Sequence, residues 1–317
     1  MPSIDLNIDG LNDYRPQPYR QPDHDEFWSN IIDAAIAQPL EMTITRQNFP
    51  LKGVQVHQIQ FDGFENSRLA GWFVRPDTME SVPGVVSYHG YGGRGALPIE
   101  MYALALQGIA VMSMDCRGQI GDSSDDAHRE FGSRPGWMTQ GIRSKHQYYY
   151  RSVYADCVRT LEVLASIEGV DETNIAVTGV SQGGGLSLAA AALSSRPIYC
   201  WADVPYLCDF RRAVEVATEG PYLELTDFMR ARPEIESDVW RTLSYFDNLN
   251  LVNRITCPVT MTVGLWDPIC PPSTDFGVFS QLATTGNDLV ILPYHRHELS
   301  AASQMLRIET IMQRLEG

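Results

Sequence analysis

Two runs of strand-like residues early in the chain, 54–61 and 69–74, flank a turn-rich stretch at 62–67, and this spacing predicts an antiparallel β-hairpin. Beyond it the rhythm changes. Residues 84–88 and 109–114 read as short apolar strands separated by a helical segment at 97–106, while Val153, Cys157, Leu161 and Leu164 recur at helical spacing through 152–166. Strand-like runs follow at 174–180, 202–204, 259–263 and 289–292, with an alanine-rich helix at 184–193 and a closing helix at 298–315. Strands alternating with helices need both faces of their sheet covered, so the expected class is α/β, with a doubly wound, mostly parallel sheet and the antiparallel hairpin at its N-terminal side.

Two stretches break the rhythm. Residues 118–143 mix Gly, Ser, Asp and Pro over a length unusual for a connection, and 206–253 carry helical pieces that predict a cap over a site. With 317 residues, 44% of them hydrophobic, the expectation is one domain spanning 1–317 with those two insertions. A formal net charge of −15 argues against nucleic acid or an anionic membrane as partner, since both require basic patches. No basic start followed by an apolar run opens the chain, and no segment reaches membrane-spanning length. The six cysteines show no C-x-x-C spacing, which predicts reduced core thiols in a cytoplasmic protein.

The most informative segment is Gly179-Val180-Ser181-Gln182-Gly183, placed between a predicted strand and a predicted helix. In that setting the glycines permit a sharp strained turn that exposes the serine hydroxyl, and the N–H of Gln182 points into the same space as a donor for developing negative charge. A serine hydroxyl needs a general base, and the base an orienting carboxylate. In α/β-hydrolases they follow the nucleophile in the order acid, then histidine, on loops after strands. Asp267 closely follows the run 259–265 and His297 follows 289–293; His295, two residues away on the same loop, competes for the base, whereas Asp275 and Asp288 compete for the acid from poorer positions. The second oxyanion donor is expected from His89-Gly90-Tyr91-Gly92-Gly93, through the N–H of Tyr91. No zinc-ligand spacing, phosphate loop or dinucleotide fingerprint occurs, so neither metal nor cofactor is expected.

Together, Arg117-Gly118-Gln119, the Ser181 elbow and His297-Glu298 resemble carbohydrate esterase family seven, the acetyl xylan esterases and cephalosporin C deacetylases. The likeness extends to Tyr14-Arg15-Pro16, Asp25-Glu26-Phe27-Trp28, residues 241–247 and 269–273, and so covers nearly the whole chain. It implies Ser181 as nucleophile, Asp267 as acid, His297 as base, and Tyr91 and Gln182 as oxyanion donors. It further implies that Arg117 and Gln119 brace the surrounding loops and that Pro221 and Ile269 narrow the acyl pocket. The implied activity is removal of acetyl groups from short xylo-oligosaccharides and other small esters such as cephalosporin C. Members of the family resemble one another in forming hexamers, which implies a homo-oligomer here, with 118–143 matching an insertion that builds subunit contacts. Where the family often places glycines after His-Glu, this chain has Leu299 and Ser300. The alternatives are a general short-chain carboxylesterase, a dipeptidase-like hydrolase, or a ligand-binding relative without catalysis.

Overall fold

A computed structural model describes residues 4–316. Nine strands form one sheet: β1 (Thr43–Gln47), β2 (Val54–Asp62), β3 (Arg68–Pro76), β4 (Val82–Tyr88), β5 (Ala110–Met114), β6 (Val170–Val180), β7 (Pro197–Asp203), β8 (Val259–Gly264) and β9 (Asp288–Leu292). Their spatial order is β1-β2-β3-β5-β4-β6-β7-β8-β9. The pairings β1–β2, β2–β3 and β3–β5 are antiparallel, and every pairing from β5 through β9 is parallel. The expected hairpin and parallel sheet are therefore both present. Because β4 lies between β5 and β6, the chain reverses its winding direction there, and a crevice opens beyond the carboxyl ends of the strands where ligands bind in such sheets.

The two-residue alternation of strand side chains builds a core on each face. Val85, Val111, Ala176, Tyr199 and Trp201 point to one side, where α3 (Pro98–Leu106) and α11 (Ala301–Leu315) add Met101, Ala105, Ile311 and Leu315. Their neighbours Val86, Met112, Val177, Cys200 and Ala202 point to the other. There α2 (His24–Ala37), α4 (Tyr149–Ser166) and α5 (Gln182–Leu193) cover them. Every residue of α5 is buried: ten of its twelve are glycine, alanine or leucine, and the two polar ones, Gln182 and Ser187, are hydrogen-bonded. Gly183 is required by close approach, since a Cβ there would lie 2.0 Å from the Tyr88 carbonyl oxygen.

Between β7 and β8 the chain forms α6 (Phe210–Val216), α7 (Tyr222–Ala231), α8 (Glu236–Leu243) and α9 (Asn248–Leu251), the helical pieces expected within 206–253. The stretch 118–143 contains no helix or strand. An N-terminal arm starting with α1 (Ile8–Asp13) crosses these helices, with Tyr14 donating to Asp209 at 2.8 Å and Tyr19 to Asp247 at 2.6 Å. The remaining helix, α10 (Pro272–Phe279), is almost wholly buried beside β8. Among the described residues, no helix is long and apolar enough to cross a membrane.

Several boundaries differ from those the sequence predicts. The strand expected at 202–204 begins at Pro197, and the closing helix starts at Ala301 rather than 298, because Ser300 caps it by accepting the Ser303 N–H at 3.0 Å. The residues before 54, given no element from periodicity, form α1, α2 and the edge strand β1.

Candidate active site

Four strand-end loops converge beyond the carboxyl ends of β4, β6, β8 and β9. Ser181 sits between β6 and α5 with φ +59° and ψ −119°, a conformation costing a non-glycine residue about 1–3 kcal/mol. The turn is held on both sides of the serine: its N–H donates to the Asp203 carbonyl at 2.9 Å, and its carbonyl accepts the N–H groups of Gly185 at 3.0 Å and Tyr206 at 2.9 Å. His297 comes from the loop after β9. Its Nε2 lies 2.8 Å from Ser181 Oγ and its Nδ1 lies 2.6 Å from Asp267 Oδ2. The loop can come this close because β8 ends in Gly264, where a Cβ would be 2.4 Å from the Arg296 carbonyl oxygen.

Asp267 is fully buried in the loop after β8, and its second oxygen accepts the N–H groups of Ile269 at 2.8 Å and Cys270 at 2.9 Å. Those bonds fix the plane of the carboxylate. The Nδ1 proton is thereby assigned to the Asp267 side of the ring, leaving Nε2 as an acceptor for the Ser181 hydroxyl. Serine, histidine and aspartate thus form a continuous hydrogen-bonded chain. The triad bonds belong to His297 and Asp267 rather than to their competitors: His295 offers its carbonyl to the Trp266 N–H at 3.0 Å, Asp275 is buried in α10, and Asp288 is exposed 3.7 Å from Arg314.

Gln182 opens α5, so its N–H has no partner within the helix. The loop after β4 passes close by, with a Cβ at Gly90 falling 4.0 Å from that of Ser181. Arg117 and Gln119 hold this arrangement from behind. The Arg117 guanidinium grips the buried Asp156 of α4 with bonds of 2.7 and 2.8 Å and also donates to the Phe64 carbonyl. Loss of either ion-pair partner alone would strand a buried charge, at a cost of about 3–5 kcal/mol. Gln119 accepts the Gly92 N–H at 2.8 Å and donates to the Gln182 side chain at 3.0 Å, joining the β4 loop to the residue after Ser181. Tyr150 adds a bond of 2.9 Å to the same Gln182 oxygen. His89 fixes the start of the loop: Nε2 accepts the Cys116 N–H at 2.9 Å and Nδ1 bonds the Gly90 carbonyl at 2.7 Å. Burial pushes the pKa of His89 down, which favours the neutral ring that this pairing needs.

Pro221 and Ile269 are brought to one edge of the site. Pro221 caps α7, and the preceding Gly220 packs on Ile269, whose methyl would be 2.6 Å from a Cβ there. Among the described residues, one trio of metal-ligating types comes together, Asp267, Cys270 and His297, with ligand atoms within 4.8 Å. Its chemistry suits hydrogen bonding better than ligation. Both Asp267 oxygens are engaged, and burial drives the Cys270 thiol well above its usual pKa, which keeps it protonated. The sequence gives no separate signal for Asp156, Tyr150 or Glu224, which act through partners far away in the chain.

Residues 1–315 match the family model described as acetyl xylan esterase (AXE1). Acetyl esterase Axe7A of Xylanibacter ruminicola is 27% identical over 289 residues, which is 89% of this chain but 65% of that relative, so the chain spans less than two-thirds of the curated relative's length. Among solved structures, the acetyl xylan esterase from Paenibacillus sp. R4 superposes with a TM-score of 0.93 at 39% identity, covering 97% of this chain and 99% of that one. Acetyl xylan esterase 1 from Thermoanaerobacterium sp. JW/SL YS485 gives the same TM-score at 27% identity, covering 98% and 99%.

Proposed function

The chain belongs to the acetyl xylan esterase family, and from that membership and its site geometry we propose that it is a serine esterase removing acetyl groups from acetylated xylo-oligosaccharides and other small esters, cephalosporin C among them. The observation carrying this reading is the chain of hydrogen bonds from Ser181 through His297 to Asp267. Ser181 Oγ attacks the ester carbonyl carbon as His297 Nε2 takes its proton, and Asp267 stabilises the imidazolium that results. The N–H groups of Tyr91 and Gln182 receive the negative charge on the carbonyl oxygen, so the charge develops against dipoles already in place. His297 then protonates the departing sugar oxygen. Water attacks the acetyl-enzyme by the same route and acetate leaves.

Pro221 and Ile269 bound the acyl side of the site in this reading, with Arg117 and Gln119 bracing its loops. The chain acts as a single α/β-hydrolase domain, with the segments 118–143 and 206–253 as insertions. Buried, unpaired thiols support a cytoplasmic setting, and the family resemblance supports a homo-oligomer of hexameric size. A narrow acyl site has a measurable consequence. The two extra methylenes of an aryl butyrate are expected to lower kcat/KM by at least about tenfold relative to the aryl acetate. Steady-state assays should also find acetate release from acetylated xylo-oligosaccharides. Equal rates on acetate and butyrate, with no release from the sugar, would favour a general short-chain carboxylesterase.

A further inference from the structure

Glu224, on the first turn of α7, takes no part in the mechanism just described, yet it sits where three segments meet. One carboxylate oxygen accepts the Tyr91 phenol at 2.6 Å and the other accepts the Met138 N–H at 3.2 Å. The phenol oxygen also accepts the backbone N–H of Trp137 at 2.5 Å and of Met138 at 3.2 Å. A Cβ at Gly136 would lie 2.2 Å from the carboxylate, so the irregular 118–143 segment closes directly onto it. Burial raises the pKa of this half-buried carboxylate, while the bonds from Tyr91 and Met138 oppose the rise.

The backbone of Tyr91 is anchored independently on its other side, where Gly92 donates to Gln119 and His89 fixes Gly90. Tyr91 is therefore clamped twice, once through its loop and once through its phenol. We propose that Glu224 is a positioning residue: by holding the Tyr91 phenol against Trp137 and Met138, it aims the Tyr91 N–H at the ester oxygen. The inference rests on the reading of Ser181 as nucleophile and Tyr91 as oxyanion donor. It assigns a role to the junction between α7 and the 118–143 segment, which would otherwise be packing. The same carboxylate borders a cavity of about 380 Å³ together with Tyr91, Arg134 and Pro221, so direct contact between Glu224 and substrate is the competing role.

The two roles separate in kinetics. Tyr91→Phe removes the phenol but keeps the backbone N–H and the ring contacts with Trp137 and Tyr206, and Glu224→Ala removes the acceptor. Misplacing a catalytic group by about 1 Å costs roughly 100-fold, so a loosened but still tethered loop is expected to lower kcat by about tenfold in each variant. KM should stay within about twofold, and affinity for an alkylboronic acid, whose Ser181 adduct places oxygen where the oxyanion forms, should fall in parallel with kcat. The double variant should lose no more than either single one, because both remove the same tether. A fall in melting temperature with kcat and boronate affinity intact would overturn the proposal, as would a rise in KM at unchanged kcat, or losses that multiply in the double variant. Should Glu224→Ala fail to fold, Tyr91→Phe alone carries the kcat and boronate readouts. If the wild type is active, Ser181→Ala is dead and these variants match wild type, the positioning role fails while the esterase reading stands. A wild type inactive on acetyl esters overturns both.

Discussion

Replacing Ser181 by alanine is expected to reduce kcat on an aryl acetate by on the order of 10⁴- to 10⁶-fold, the range seen when a triad serine is removed. The backbone reason is that alanine adopts the same strained turn at no greater cost than serine, so the fold and the oxyanion donors remain. Ground-state binding remains too, and KM should change little. What disappears is the atom that forms the acyl bond, together with its 2.8 Å hydrogen bond to His297. A thermal melt run beside the assay separates chemistry from folding. Activity within a few fold of wild type, in a folded variant, would mean that another group attacks the ester.

A second large effect is expected for Asp267→Asn, and its origin lies in which atoms face which. Asp267 uses one oxygen for the N–H groups of Ile269 and Cys270 and the other for His297 Nδ1. An asparagine has one acceptor and one donor to place there. The two backbone donors hold the amide oxygen, so the NH₂ group turns toward His297 and makes Nδ1 an acceptor. The ring proton then moves to Nε2, facing Ser181, and the serine loses its base with the heavy atoms almost unmoved. A loss of about 10⁴-fold in kcat is the expected size for this tautomer change. Nitrogen-15 spectroscopy of the imidazole would show the shift directly. Retention of kcat with the Nδ1–H tautomer intact would remove Asp267 from the mechanism.

The catalytic candidates were readable because each carries a local signature. Ser181 has its glycines and its strand–helix context, while Asp267 and His297 each follow an apolar run by a few residues; loop position sets Asp267 apart from Asp275, whereas His295 shares the His297 loop and only the hydrogen bonds to Ser181 and Asp267 separate the two histidines. The parallel sheet was readable for the same reason: its strands are short apolar runs punctuated by helices. Edge strand β1, Thr43–Gln47, carries no such run, since four of its five residues are exposed and only Ile44 is apolar. Helix α2 did carry a signal in Phe27, Trp28, Ile31, Ile32 and Ala35, an apolar stripe at helical spacing that periodicity alone could have found. The bracing residues were legible on one side only. Arg117 and Gln119 stand in a recognisable triplet, but Asp156 lies within the apolar face of α4 and Glu224 in an amphipathic cap helix. Their partners are 39 and 133 positions away, a separation that no local pattern encodes.

The reactivity of one hydroxyl carries the whole account. Incubation with a fluorophosphonate, followed by peptide mass spectrometry, should give a single adduct on Ser181 that forms rapidly in the wild type and far more slowly in His297→Ala. An adduct elsewhere, or a Ser181 that reacts no faster once His297 is present than when it is absent, would contradict the assignment of that serine as an activated nucleophile.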